Sequence, residues 1–245
     1  MRLALISDIH GNLPALERVL AELTREDVDE LICLGDVAVG PQPVETLDRV
    51  QALDCTTVMG NWDSCLLGGE PQVHGEIAEM LADVCTWSAA QISPAQQEYI
   101  RSFRETHEIR LDENLTLLMF HGSPRSFDDY IYATTSDDEL ESMLAGYEAD
   151  VYAGGHTHFQ MFRRLGESVI VNAGSVGQPF RRRQEGMMRL SPWAEFCIVS
   201  YSDGKLGVEL RRAPLDVESL AEMVRTSGMP DAERWAELWT PELVR

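Results

Sequence analysis

Three times in the N-terminal part of the chain an apolar run halts at a polar group and a helix pattern follows, and this repeated grammar restricts the fold more than any other feature. Leu3-Ala-Leu-Ile6 stops at Ser7-Asp8-Ile9-His10-Gly11-Asn12; Leu13, Leu16, Val19, Leu20 and Leu23 then recur at helical spacing, with Asn12 as N-cap and Pro14 in the first turn. Leu31-Ile-Cys-Leu34 ends at Gly35-Asp36, and Val44, Leu47 and Val50 mark a second helix after Gly40-Pro41-Gln42-Pro43. Thr56-Thr-Val-Met59 ends at Gly60-Asn61. Strands alternating with helices form βαβ units in a sheet that begins largely parallel, and functional groups gather just beyond the carboxyl ends of such strands.

Further along, the stretch from about Cys65 to Glu105 reads as helical, with Ile77, Leu81, Val84 and Cys85 on one face and Ser93-Pro94 opening another helix. Glu108–Leu111 and Leu115–Phe120 flank Asp112-Glu113-Asn114 as a hairpin, and Phe120 runs into His121-Gly122-Ser123-Pro124-Arg125. A helix near Asp137–Leu144 precedes Val151-Tyr-Ala153, which leads to Gly154-Gly155-His156-Thr157-His158. Short strands follow at Ser168–Val171, Phe196–Tyr201 and Leu206–Leu210, then a helix around Leu220 and Val224. With 245 residues, 44% of them hydrophobic, the chain reads as one domain over 1–245, with a helical insertion near 65–105 and a C-terminal helix and tail from about 215. Trp235, Trp239 and Pro241 make that tail either a packed segment or a contact between subunits of a homo-oligomer.

The sequence shows neither a membrane-length apolar run nor a signal-peptide pattern, so a soluble, cytoplasmic protein without a membrane partner is expected. Cys33, Cys55, Cys65, Cys85 and Cys197 are scattered, with no C-x-x-C pair, and indicate neither a disulfide framework nor a thiolate zinc site. Cys33, Cys55 and Cys197 sit in apolar runs as small core residues. A formal charge of -21 opposes a stable nucleic-acid partner, so an anionic substrate needs a local positive site.

Five strand ends carry Asp8/His10, Asp36, Asn61, His121 and His156/His158, which are oxygen and imidazole donors suited to manganese, iron or zinc. Singly, each has a plainer reading: Asp-x-His as turn and cap, Gly60-Asn61 as a turn, His121 as a satisfied loop histidine. Their order and common position at strand ends favour metal binding.

The ordered set Asp8-x-His10, Gly35-Asp36, Gly60-Asn61, His121-Gly122 and Gly155-His156-Thr157-His158 resembles the calcineurin-like metallophosphoesterase superfamily over roughly residues 1 to 210. Ser7–Asn12, His121–Arg125 and Asn172-Ala-Gly-Ser-Val-Gly-Gln-Pro179 resemble its small bacterial phosphodiesterase-like branch. The resemblance implies an α/β (also classed α+β) four-layer αββα sandwich of two mixed sheets flanked by helices. It also implies two divalent ions, manganese first, with iron, zinc, nickel or magnesium as alternatives. One ion would take Asp8, His10 and His158; the other Asn61, His121 and His156; Asp36 would bridge them. Two such cations against two aspartates and a shared hydroxide leave about +1, a receptor for a small phosphate ester. Asp36, Asn61 and His121 are the expected catalytic residues, and Asn12, Trp62, Arg125 and Arg181 the expected substrate contacts.

The family commonly has histidine after the Gly-Asn pair, credited as proton donor; here Gly60-Asn61-Trp62-Asp63 places an indole there, which cannot give up its proton near neutrality. Esters with good leaving groups are then favoured, unless His74, His107 or Asp63 supplies the proton; Trp62 itself either stacks on the substrate or packs at the mouth of the site. Arg181-Arg182-Arg183 could clamp a second phosphate or serve as a solvated loop. A scaffold of the same fold is the main competitor, opposed by seven intact coordinating positions; a metal-dependent nuclease is opposed by the charge.

Overall fold

In β1 (Arg2–Ile6) the side chains of Leu3 and Leu5 enter one core and those of Ala4 and Ile6 another, which is why the strand reads as an unbroken apolar run. The structure, a computed structural model, describes residues 1–70, 78–182 and 188–239. After β1 come α1 (Leu13–Leu23), β2 (Glu30–Cys33), α2 (Pro43–Ala52), β3 (Thr56–Thr57), α3 (Asn61–Leu66), α4 (Ala78–Gln91) and α5 (Pro94–Arg101). The middle holds β4 (His107–Asp112), β5 (Leu115–Met119), α6 (Asp137–Leu144), β6 (Val151–Gly154), β7 (Met161–Leu165) and β8 (Ser168–Asn172). The chain continues through β9 (Phe180–Arg182), β10 (Met188–Leu190), β11 (Trp193–Ser202), β12 (Lys205–Pro214), α7 (Val217–Thr226) and α8 (Ala232–Ala236).

Two five-stranded mixed sheets result, in the orders β12-β11-β1-β2-β3 and β4-β5-β6-β8-β7. In the first, β1, β2 and β3 run parallel and β11 returns antiparallel beside β1. In the second, β5, β6 and β8 run parallel between antiparallel edges β4 and β7. The sheets meet through Leu3, Leu5, Ile32, Cys197 and Val199 on one side and Leu117, Met119, Val151, Val169 and Val171 on the other. Burying each of the larger side chains contributes about 1.5–3 kcal/mol. Helices cover the outer faces: Leu16 and Val19 of α1 and Leu47 and Val50 of α2 over the first sheet, Leu140 and Leu144 of α6 over the second. This is the four-layer sandwich expected from the sequence.

Several features depart from the sequence reading. Strand β7 was not anticipated, because it is an edge strand with Phe162 exposed and Arg163-Arg164 inside it, a pattern too polar to announce a strand. Helix α8 and the antiparallel β9–β10 pair were not anticipated either. The expectation of no disulfide is corrected: Cys65 and Cys85 are joined, 20 residues apart, because α3 and α4 pack together and bring those positions to a Cα separation of 6.6 Å. Cys33 and Cys197 are buried and Cys55 half-buried. Trp235 and Trp239 are buried in the helix-side core, so that part of the tail is packed, while Pro241 lies outside the described residues. No described helix is long and apolar enough to cross a membrane.

Candidate metal centre

Asp8, His10, Asp36, His156 and His158 all adopt left-handed backbone conformations, with φ between 50° and 65°. Such conformations are uncommon for residues with a side chain and persist only where surrounding structure imposes them. Each falls just after a strand, and the reversal of the backbone there defeats the strand's alternation, so both members of Asp8-x-His10 and of His156-x-His158 turn inward. The Gly155 position makes the approach of the two sheets feasible: a Cβ there would lie 1.9 Å from Ser7 Oγ and 2.6 Å from Asp8 Oδ2.

All seven expected ligands converge. His158 Nε2 lies 3.2 Å from Asp8 Oδ1 and 3.1 Å from His10 Nε2, and His10 Nε2 lies 3.8 Å from Asp8 Oδ1. On the other side, Asn61 Oδ1 is 3.1 Å from both His121 Nε2 and His156 Nδ1. Asp36 Oδ2 stands between them, 3.7 Å from His10 Nε2 and 3.2 Å from His121 Nε2. Two compact groups stand out, Asp8-His10-His158 and Asp36-His121-His156, each with its donor atoms mutually within 4.8 Å.

The donor set fits a pair of cations. Buried Asp8 Oδ1 and Asp36 Oδ2 have no hydrogen-bond partner, a cost of about 1–3 kcal/mol per group that a metal ion would remove. His121 Nδ1 donates to Leu34 O at 2.7 Å and His158 Nδ1 to Gln178 O at 2.6 Å, while His10 Nδ1 faces Val39 O at 3.3 Å. These backbone acceptors fix each ring so that its Nε2 is the inward donor, the usual support of a metal-binding histidine.

Charge is balanced within the cluster. Burial alone would disfavour ionisation of Asp8 and Asp36, yet His158 and His121 beside Asp8, and His121 and His10 beside Asp36, hold both carboxyls below their ordinary range. Burial likewise works against a charged His121, but Asp36 and Asp8 overcome it and push that imidazole up to about 10; Asp8 raises His158 in the same way. Burial, reinforced by His158, lowers His10 to about 4; burial, reinforced by His121, does the same to His156. Two carboxylates held in their charged form in a buried pocket attract positive charge.

The outer support is denser than the sequence suggested. The carboxylate of Asp63 accepts the backbone N–H groups of Asp36 at 2.7 Å, Val37 at 2.9 Å and Gly60 at 3.0 Å, pinning the Asp36 and Asn61 turns together. The Asn172–Pro179 segment clamps the Asp8 turn: Ser175 Oγ donates to Asp8 O, Gly177 N to Asp8 O, and Asn172 Nδ2 to Gly155 O. Its wording marked it in the sequence, but its roles were not legible there.

The expected substrate contacts fare differently. Asn12 is buried, with Oδ1 accepting Ala15 N at 3.2 Å and Nδ2 donating to Gly177 O at 3.0 Å, so both ends of its amide serve the fold. Trp62 is 8% exposed and packed in the helix-side core, and its backbone N–H donates to Asp36 Oδ1 at 2.8 Å. Arg125 turns to Asp129 at 2.8 Å and to Ser142 O at 3.0 Å. Arg181 is half-buried on β9, next to Phe180, whose ring stacks on His158 at 4.7 Å. The side chain of Arg182, and Arg183 and His74 entirely, lie outside the described residues. His107 Nδ1 meets Arg104 Nη1 at 2.8 Å.

Residues 1–192 match the family model of the calcineurin-like phosphoesterase superfamily domain. Phosphodiesterase YfcE of Escherichia coli K12 is 28% identical over 190 residues, covering 73% of this chain and 81% of its own. The uncharacterised protein MJ0912 of Methanocaldococcus jannaschii is 25% identical, with 94% of each chain covered. Among solved structures, a metallophosphoesterase from Sphaerobacter thermophilus is 25% identical and superposes with a TM-score of 0.74 over 97% of this chain and 98% of its own. The hypothetical protein PH1004 of Pyrococcus horikoshii, 19% identical, shares the fold with a TM-score of 0.79, covering 96% and 97% of the two chains.

Proposed function

Because the chain belongs to the calcineurin-like phosphoesterase superfamily and brings seven coordinating side chains to one pocket, we propose that it hydrolyses phosphodiester bonds of small nucleotide-like esters with two bound divalent ions. Mixed imidazole and oxygen donors admit manganese, iron, zinc and nickel, and manganese is the ion that the family resemblance puts first. The observation that carries the reading is Asp36: its Oδ2 is buried and unpartnered and lies between the His10 and His121 rings, where a bridging ligand belongs.

Two cations held there would polarise phosphate oxygens and make a shared water acidic near neutrality. The chain's residues do the positioning. Asp8, His10 and His158 hold one side, Asn61, His121 and His156 the other, and the backbone acceptors of Leu34, Gln178 and Val39 keep the rings from turning. Trp62, where relatives carry a proton donor, leaves the departing oxygen without help from that position, so esters of acidic alcohols are the preferred substrates. YfcE, named a phosphodiesterase, supports a diester over a monoester.

Manganese-loaded protein should be assayed on an aryl diester, an aryl monoester, a cyclic nucleotide and a dinucleoside polyphosphate, with metal content measured on the same sample. Turnover of the diester with two metal equivalents is expected. Protein that carries both metals and cleaves none of the four would overturn the reading.

A further inference from the structure

Beside the candidate centre the structure exposes a run of aromatic rings that no ligand role explains. The Tyr130 ring lies 4.3 Å from that of His156, Tyr132 lies 5.9 Å beyond it with its plane only 12° away, and Phe159 closes the far end at 6.5 Å. Tyr130 is 43% exposed, Tyr132 40% and Phe159 36%, so large apolar faces meet water directly next to a pocket whose own ligands are buried. Their near-parallel planes give Tyr130 and Tyr132 a common orientation.

The segment that carries the tyrosines is pinned at both ends. Gly122 allows the loop to lie close: a Cβ there would meet Phe127 O at 2.6 Å and Asp129 O at 2.9 Å. Asp129 is held by Ser123 Oγ at 2.7 Å and Arg125 Nε at 2.8 Å. On the other side Arg163 donates to the carbonyls of Tyr132 at 3.4 Å, Ala133 at 3.3 Å and Thr135, and pairs with Asp137. The rings are therefore presented before anything binds, which removes much of the ordering cost of a stacking contact.

We infer that Tyr130 and Tyr132, with Phe159, form a stacking subsite for a planar aromatic ring of a phosphate ester whose phosphate sits at the seven-ligand centre. The inference rests on the phosphoesterase reading and deepens it. Tyr130 touches a ligand ring and Tyr132 stands one ring further out, a placement that suits a base separated from phosphate by a sugar. Aromatic stacking tolerates any planar ring, so nucleobases and simple aryl groups share this chemistry. The sequence offered Trp62 for this role; Tyr130 and Tyr132 are far more exposed than its 8%.

The test is calorimetric binding to manganese-loaded protein of adenosine monophosphate, phenyl phosphate, ribose phosphate and inorganic phosphate. Wild type should bind adenosine monophosphate about tenfold more tightly than ribose phosphate. Tyr132→Ala and Tyr130→Ala should each remove most of that advantage, Tyr130→Phe should keep it, and ribose phosphate should change less than about twofold. Phenyl phosphate sharing the advantage assigns the ledge to any planar ring, and its lacking it confines the ledge to nucleobases. Equal affinity of wild type for adenosine monophosphate and ribose phosphate overturns the inference, as does an advantage that survives both alanine variants. Failure to hydrolyse any ester, with this binding pattern intact, sinks the phosphoesterase reading and leaves the ledge standing.

Discussion

The backbone N–H of His156 donates to Asp8 Oδ2 at 3.0 Å, so a residue at the end of β1 in the first sheet is tied to one just past β6 in the second. The other oxygen of the same carboxylate, Oδ1, is buried without a partner among the rings of His10, His121 and His158. One carboxylate thus stitches the two sheets together and supplies negative charge to the pocket.

These two roles separate on substitution. Asp8→Asn keeps an oxygen for the His156 N–H but removes the charge and leaves an amide where Oδ1 was. The variant should stay folded by circular dichroism, lose about one metal equivalent by elemental analysis, and lose at least about a hundredfold in kcat/KM. Two full metal equivalents with activity within about tenfold of wild type would show that Asp8 acts only as a stitch.

Asp63 should matter although it is not among the expected ligands. Its carboxylate accepts three backbone N–H groups, from Asp36, Val37 and Gly60, while an asparagine has a single acceptor oxygen. Asp63→Asn should leave a buried donor unsatisfied, lowering stability by about 1–3 kcal/mol. The loosened Asp36 and Asn61 turns should also weaken metal affinity by about 10–100-fold. Competition with a metallochromic indicator measures the second effect and urea unfolding the first; a loss of stability with unchanged affinity would confine Asp63 to the fold.

The seven expected ligands, and their convergence, were legible because each follows an apolar strand, and strand ends can be read from local pattern. What could not be read is what depends on contacts distant in sequence. The Gln178 carbonyl that fixes His158 and the Ser175 hydroxyl on Asp8 O come from a loop without periodicity. Tyr130 and Tyr132 sit in a polar loop whose placement rests on Arg163 of β7, an edge strand whose pattern was too weak to anticipate. Asn12 was legible as a helix cap, and that is the role its Oδ1 takes. Trp62 was open in the sequence to stacking on a substrate or to packing at the mouth of the site; helix α3 starts at Asn61 and places the indole in the helix-side core.

The Cys65–Cys85 pair is open to direct chemistry. Thiol titration of unfolded, unreduced protein should find three free groups, Cys33, Cys55 and Cys197, rising to five after reduction. Closing a loop of this length contributes about 3 kcal/mol, so Cys65→Ser should lower the unfolding midpoint measurably. Since α3 also begins with the expected ligand Asn61, metal content should be compared in the same samples. Five titratable thiols before reduction would show that the two cysteines meet without bonding, as a reducing compartment favours.

Glu195 gives the pH dependence its sign. Burial pushes its carboxyl up to about 7 from an ordinary 4.5, and the Arg212 guanidinium at 2.9 Å offsets only part of that. Because the folded chain binds a proton that the unfolded chain has released, stability falls as pH rises between about 4.5 and 7 and stays at its lower value above that. Glu195→Gln removes the titration while keeping the shape. Its stability relative to wild type should be near zero at about pH 4.5 and improve by on the order of 1–3 kcal/mol by about pH 8. The comparison cancels Asp63, whose carboxyl burial also raises to about 7, since that group is common to both proteins. Urea unfolding of metal-loaded protein at the two pH values, with equal m-values required, reads the difference. A gap that is flat or shrinks with pH would mean that Arg212 keeps Glu195 ionised throughout.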